Sequence, residues 1–175
     1  MGKLYNDWRK MGSEIGVDYM EIREMKEGEA GLVVYFHYKV AKKEYNFNPL
    51  MEKEFLEIMC EYFNDEQNRY WVIEDDGEIL GSLGVDKINA NEAQLRLFAT
   101  DQSIQGHGVG KKLVKTALDY CREIGIKQVI LETMDICKAA RHIYSSFGFK
   151  LVEKIREDNE SADYPIVEEK WELEL

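Results

Sequence analysis

The chain has 175 residues, 45 % of them hydrophobic and only two of them proline, which suits one domain with a real core and argues against a disordered chain. Its formal charge of −11 argues against the clustered cationic surface that nucleic-acid binding requires, while favouring a cationic substrate weakly. The three cysteines form no Cys-x-x-Cys pair, so neither a zinc site nor a disulfide framework is expected.

In chain order, Leu4, Trp8, Met11 and Ile15 recur at helical spacing and predict a short amphipathic helix over 3–15, stopped by Gly16. Residues 1–18 read as a helical extension and 19–175 as one domain. Alternation over 19–24 predicts a first strand. A helix is expected over about 27–44. A second starts at Pro49, a residue suited to a first turn, with Met51, Phe55, Met59 and Tyr62 on one face. Arg69–Glu74 is rich in β-formers, and Asp76-Gly77 is a hairpin signal. Strands over 79–88 and 93–100 flank a polar turn at 89–91. A helix with Leu113, Ala117, Cys121 and Ile124 on one face ends at Gly125, and 128–134 reads as a buried strand. A short helix over 138–147, capped by Gly148, precedes strands over 149–155 and 167–175. The fold class expected is α/β: a mixed, mostly antiparallel twisted sheet with flanking helices and one parallel crossover, from 93–100 to 128–134. Cys60 and Cys121 fall at apolar helix positions and read as core. Trp8, Trp71 and the methionines read as packing residues.

The stretch Gln105-Gly106-His107-Gly108-Val109-Gly110-Lys111-Lys112 follows a strand and opens a helix. A helix start presents unpaired N–H groups and a partial positive charge, and glycine lets backbone approach a ligand closely. Together these make a phosphate cradle. A Walker A loop is excluded because its first glycine would fall on Gln105 and its Ser or Thr on Lys112. A dinucleotide fingerprint is excluded because its third glycine would fall on Lys111.

With Gln105, Gly108 and Gly110 followed by Tyr144-Ser-Ser-Phe-Gly148-Phe149, the chain resembles the GNAT superfamily of N-acetyltransferases. The element order fits from about Tyr19 to Leu175. Residues 31–55 look most like the acetyltransferase halves fused to MarR-type regulators, without a DNA-binding half. The resemblance implies acetyl-CoA as co-substrate and an amine acceptor, on a small molecule or a peptide, with no metal. It implies that backbone groups of Phe98, Ala99 and Thr100 pair with the pantetheine arm. Gln105 belongs to the same cofactor motif, and amides of Gly106, His107, Gly108, Val109, Gly110 and Lys111 would hold the pyrophosphate. Tyr144 would stand near the thioester sulfur as general acid, and Glu132 aligns with a general base of some relatives. Cys137 departs from the pattern, since many relatives carry Asn there.

Amide formation needs an amine that has lost its proton, a stabilised oxyanion and a protonated thiolate. Glu132 reads either as the start of a proton relay or as a strand-end carboxylate in a surface ion pair. Tyr144 reads either as the acid or as an aromatic packed on the sheet. A backbone N–H in strand 93–100 could bind the oxyanion. Spacing places no partner beside His37 or His142, so surface or packing roles are expected. Glu44-Tyr45-Asn46-Phe47 is expected to border the amine pocket or simply to end a helix. The rival readings are an acyl-CoA-binding regulatory module without catalysis, and transfer of a longer acyl chain or to an oxygen acceptor. A cytoplasmic monomer or homodimer without membrane or nucleic-acid partners is expected.

Overall fold

The computed structural model describes residues 20–156 and 160–175. The expected helix over 3–15 and the boundary at 18 lie outside them. The strands are β1 Glu21–Glu24, β2 Arg69–Asp75, β3 Glu78–Lys87, β4 Glu92–Thr100, β5 Gln128–Met134, β6 Lys150–Arg156 and β7 Glu168–Glu174. The helices are α1 Ala30–Tyr45, α2 Leu50–Glu61, α3 Val109–Glu123 and α4 Lys138–Ser146.

One sheet of seven strands runs β1-β2-β3-β4-β5-β7-β6. Every pair is antiparallel except β4 and β5. The hairpin between β2 and β3 turns at Asp76 and Gly77, whose φ values of 49° and 81° are the two positive values a tight hairpin requires.

Side-chain alternation divides the core between the two sheet faces. Tyr70 and Val72 of β2 pack with Val33, Phe36 and Val40 of α1 and Met59 of α2. Trp71 and Ile73, one residue out of phase, pack with Leu113, Val114, Ala117, Leu118 and Cys121 of α3. Helices therefore cover both faces of the central strands. This is why β2 is buried through its middle rather than on alternate residues. The apolar stripe of α3 recurs every three or four residues and meets the sheet along its length.

Cys60 is exposed, contrary to the core position expected of it. It follows Met59, which is buried, and one residue turns an α-helix by about 100°, carrying Cys60 off the apolar face. Cys121 is buried as expected.

The feature that positions the site is a split in the sheet. β4 pairs with β5 only from Glu92–Gln128 to Leu95–Leu131. Beyond that point β4 stays with β3 as far as Thr100, opposite Gly81, while β5 stays with β7 as far as Met134, opposite Glu168. The β3–β4 register shifts between Ser82 and Gly84, which face Ala99 and Arg96. Two residues of β4, Leu97 and Phe98, thus oppose one residue of β3, which is a β-bulge. Leu97 takes a left-handed φ of 45°. The edge of β4 that faced β5 is therefore free of strand partners from Leu97 onward.

Candidate active site

Two cavities open at this split. The first, about 510 Å³, is lined by Phe98, Ala99 and Thr100 of β4, by Gln105, Gly106, Gly108, Val109, Gly110 and Lys111 of the glycine loop, and by residues of α4 including His142 and Ile143. The second, about 230 Å³, lies between α1, α2 and the parted ends of β4 and β5. Val40, Tyr45, Phe98, Ala99 and Cys137 line both. The cavities meet where the sheet divides.

The glycine loop is built as a cradle. Gly106 and Gly108 have φ values of 82° and 77°, a region that a side chain disfavours. The first helical bond of α3 runs from the Lys112 amide to the Gly108 carbonyl at 3.1 Å. Among the described residues, no protein group accepts a hydrogen bond from the amides of Gly106 to Lys111. A row of free N–H groups at a helix N-terminus matches a phosphate. Gly110 is required for another reason: a Cβ there would approach Ile143 Cδ1 to 2.9 Å and Phe98 Cζ to 3.3 Å. It lets α3 pack closely on α4 and β4. The Gln105 side chain donates to the Thr100 carbonyl at 2.9 Å, tying the loop back to the strand end. His107 and Lys112 are exposed and neither lines the loop cavity.

Tyr144 is 4 % exposed. Its ring lies 5.7 Å from Phe98 and 5.8 Å from Phe149, so it is a packing residue. It also lines the second cavity, and among the described residues no protein group hydrogen-bonds its hydroxyl. Burial raises its pKa, with the neighbouring Cys137 adding to the shift. At neutral pH the hydroxyl is protonated and can donate.

Glu132 lines the same cavity. It stands on β5 one residue past the last β4 pair, half-exposed, with its carboxylate 3.8 Å from Arg96 Nη1. Glu132 thus stands both within reach of Arg96 and in the cavity wall. Arg96 is also 3.8 Å from Asp86. Burial pushes Asp86 up to about 6, against the pull of Arg96. Three carboxylates, Glu54, Glu132 and Glu168, line the cavity against one guanidinium.

Tyr45 and Phe47 line the cavity as expected, with Met51, Phe55 and Ile58 of α2. Glu44 faces the loop cavity instead, and burial raises its pKa, with Asp101 adding to the rise. Cys137 sits at the N-terminus of α4. Its thiol is pushed up by burial, although the Tyr45 hydroxyl beside it draws it down.

His37 lies in the cavity wall, 5 % exposed. It has a partner that spacing did not reveal: its Nε2 is 2.7 Å from Ser82 Oγ. The two residues are 45 positions apart and meet only because α1 packs over β3. His142 is exposed at the rim of the loop cavity.

Residues 34–149 match the model of the acetyltransferase (GNAT) family, and the chain belongs to that family, whose domains are acyltransferases. N-acetyltransferase 8B of Homo sapiens is 33 % identical over 99 residues, covering 54 % of this chain and 44 % of the relative. The uncharacterized N-acetyltransferase YjgM of Escherichia coli (strain K12) is 30 % identical over 101 residues, covering 56 % of this chain and 60 % of the relative. The chain spans roughly half the length of these curated relatives. Among solved structures, a GNAT-family acetyltransferase from Staphylococcus aureus Mu50 superposes with a TM-score of 0.71 at 22 % identity, over 89 % of this chain and 98 % of that one. Spermidine N-acetyltransferase from Vibrio cholerae, in complex with CoA and spermine, gives 0.65 at 17 % identity, over 90 % and 96 %. These superpositions establish the fold. No helix among the described residues is long and apolar enough to cross a membrane.

Proposed function

We propose that this chain is an acetyl-CoA-dependent N-acetyltransferase that acylates a primary amine of a small molecule or peptide by direct attack in a ternary complex. The observation that carries this reading is the meeting of the two cavities at the β4–β5 split, with the Tyr144 hydroxyl unpartnered at the second.

The residues present fit the co-substrate. Free amides from Gly106 to Lys111 suit its pyrophosphate, and the free edge of β4 at Phe98–Thr100 suits the amides of its pantetheine arm. Bound there, acetyl-CoA supplies an acetyl thioester. The chain does the rest. The excess of carboxylates around the second cavity draws in a cationic amine. Such an amine, with a pKa of about 10, is mostly protonated at neutral pH. Glu132 accepts its proton through water, leaving the nitrogen lone pair to form the C–N bond. A backbone N–H of β4 near the bulge steadies the oxyanion. As the C–S bond breaks, Tyr144 gives its proton to the sulfur, and the nitrogen, cationic after the attack, sheds its second proton through water to restore the Tyr144 hydroxyl. Burial raises the Tyr144 pKa, which keeps the hydroxyl protonated until the thiolate departs.

The test is thiol release from acetyl-CoA and longer acyl-CoAs across a panel of amines. Acetyl-dependent release with at least one amine is expected. A protein that binds CoA and releases no thiol with any amine would instead be a sensor. Saturation with CoA at 100-fold over Kd should stabilise the fold by about 2.7 kcal/mol, or roughly 5–10 °C in Tm for a domain of this size. Gly108→Asp, which forces a side chain into a left-handed site and sets negative charge in the cradle, should erase that rise. A wild type with no rise would sink the cofactor assignment.

A further inference from the structure

The bulge in β4 needs something to hold it. Leu97 has a φ of 45°, a left-handed value that is strained for a non-glycine residue. A bulge also leaves backbone groups without ladder partners, and Leu97 is buried.

One side chain answers both needs. Ser82 Oγ donates to the Leu97 carbonyl at 3.0 Å. Ser82 belongs to β3, faces Ala99 across the ladder, and is fully buried. A serine hydroxyl has one proton, and here that proton is given to Leu97. Toward His37 Nε2, 2.7 Å away, the oxygen can therefore only accept. This fixes His37 as the neutral tautomer with its proton on Nε2. The ring is itself held edge-on by Phe36 at 5.3 Å and Phe55 at 5.4 Å. Burial lowers its pKa to about 4, against a smaller upward pull from the backbone of Leu97 beside the ring, so the neutral form prevails at physiological pH.

The relay runs from α1 through β3 to β4. At one end, His37 forms part of the wall of the amine cavity. At the other, Leu97 immediately precedes Phe98 and Ala99, two of the residues that line both cavities. We propose that His37 is a positioning residue for acyl transfer: through Ser82 it fixes the Leu97 carbonyl, and with it the bulge that presents the free edge of β4 to the thioester. The proposal rests on the acetyltransferase reading above. It gives His37 no part in proton transfer, because its Nε2 proton is already committed to Ser82.

Three variants test it. His37→Leu keeps bulk and removes the donor. His37→Gln keeps an N–H near the Nε2 position. Ser82→Ala removes one oxygen and leaves the strand intact. Steady-state kcat and the Kd for CoA are measured for each, with Tm alongside. His37→Leu and Ser82→Ala should each lower kcat about 10- to 100-fold, the scale on which a misplacement of about 1 Å acts. His37→Gln should stay within about threefold of wild type. The His37→Leu/Ser82→Ala double variant should be no slower than the worse single, because both act on one carbonyl.

Wild-type turnover is measured first. Its absence overturns the acetyltransferase reading, and the positioning role with it. Given wild-type turnover, the positioning role alone is overturned by Ser82→Ala within twofold of wild type, by His37→Gln as slow as His37→Leu, or by losses that multiply in the double variant. Should His37→Leu not fold, Ser82→Ala decides the matter.

Discussion

The arm from Gln105 to Phe149 and the arm from Ala30 to Glu61 face each other across the split sheet, and they are built on different principles. The first is local. Its glycines, the start of α3 and Tyr144 are set by short spacings along the chain, and the groups its loop leaves free are backbone amides. The second is assembled from afar. Its cavity wall takes side chains from α1 and α2, which follow one another in the chain, and from β4, β5 and β7, which lie far from them in sequence. A site for a shared chemical handle can be made of backbone, which every sequence supplies. A site for one acceptor must be made of side chains, which each sequence chooses.

That contrast makes the two arms separable by mutation. The largest effect should come where they meet. Tyr144→Phe keeps the ring packed between Phe98 and Phe149 and removes only the hydroxyl. Turnover should fall by about 10²- to 10⁴-fold, or roughly 3–5 kcal/mol of transition-state stabilisation, with little change in the Kd for CoA. Near-normal turnover in steady-state kinetics would show that Tyr144 only packs. Equal losses in turnover and in CoA binding would transfer its role to the cofactor side.

The next effect belongs to the wall between β3 and the α1–α2 arm, and it is read as stability against pH. Asp86 has its pKa raised to about 6 by burial. Its ionised form therefore opposes folding, and the native state gains stability relative to the unfolded chain as pH falls through 6 toward 4. His37 runs the other way. Its native pKa of about 4 lies below the unfolded value, so its contribution is full above about 6.5 and is lost as pH falls toward 4. Asp86→Asn removes only the first of these. The unfolding free energy of Asp86→Asn minus that of wild type should therefore drop by about 2 kcal/mol between pH 7.5 and 4. Urea titrations at a series of pH values measure this, and a difference that is constant with pH would show that Asp86 ionises normally.

The smallest effect isolates the acceptor arm. Phe47 is buried in the cavity wall and stacks near Tyr164 at 6.4 Å. Phe47→Leu keeps apolar bulk and loses the ring, whose aromatic contacts are worth about 0.5–1.5 kcal/mol. The acceptor KM should rise about two- to tenfold, with the Kd for CoA unchanged. If the Kd for CoA moved as far as the acceptor KM, the two arms would not be separable.

The elements themselves were legible because hydrophobic period and turn residues act locally. The Asp76-Gly77 hairpin and the stripe of α3 need only neighbours a few residues apart, and the parallel crossover follows from a strand–helix–strand order. Cys60 shows the limit of that reading: apolar character was visible, but one residue of helical rotation took it to solvent.

By itself the sequence determined the element order, the glycine loop, the placement of Tyr144 after it and the acyltransferase family, because each depends on contiguous residues and fixed spacings. Only the tertiary structure decided where the sheet parts, that Glu132 lies in the cavity wall, that Arg96 stands between Asp86 and Glu132, and that His37 meets Ser82. The reason is physical. A β-bulge and a hydrogen bond between residues 45 apart arise from how helices and strands pack in space, and no periodicity along the chain encodes that packing.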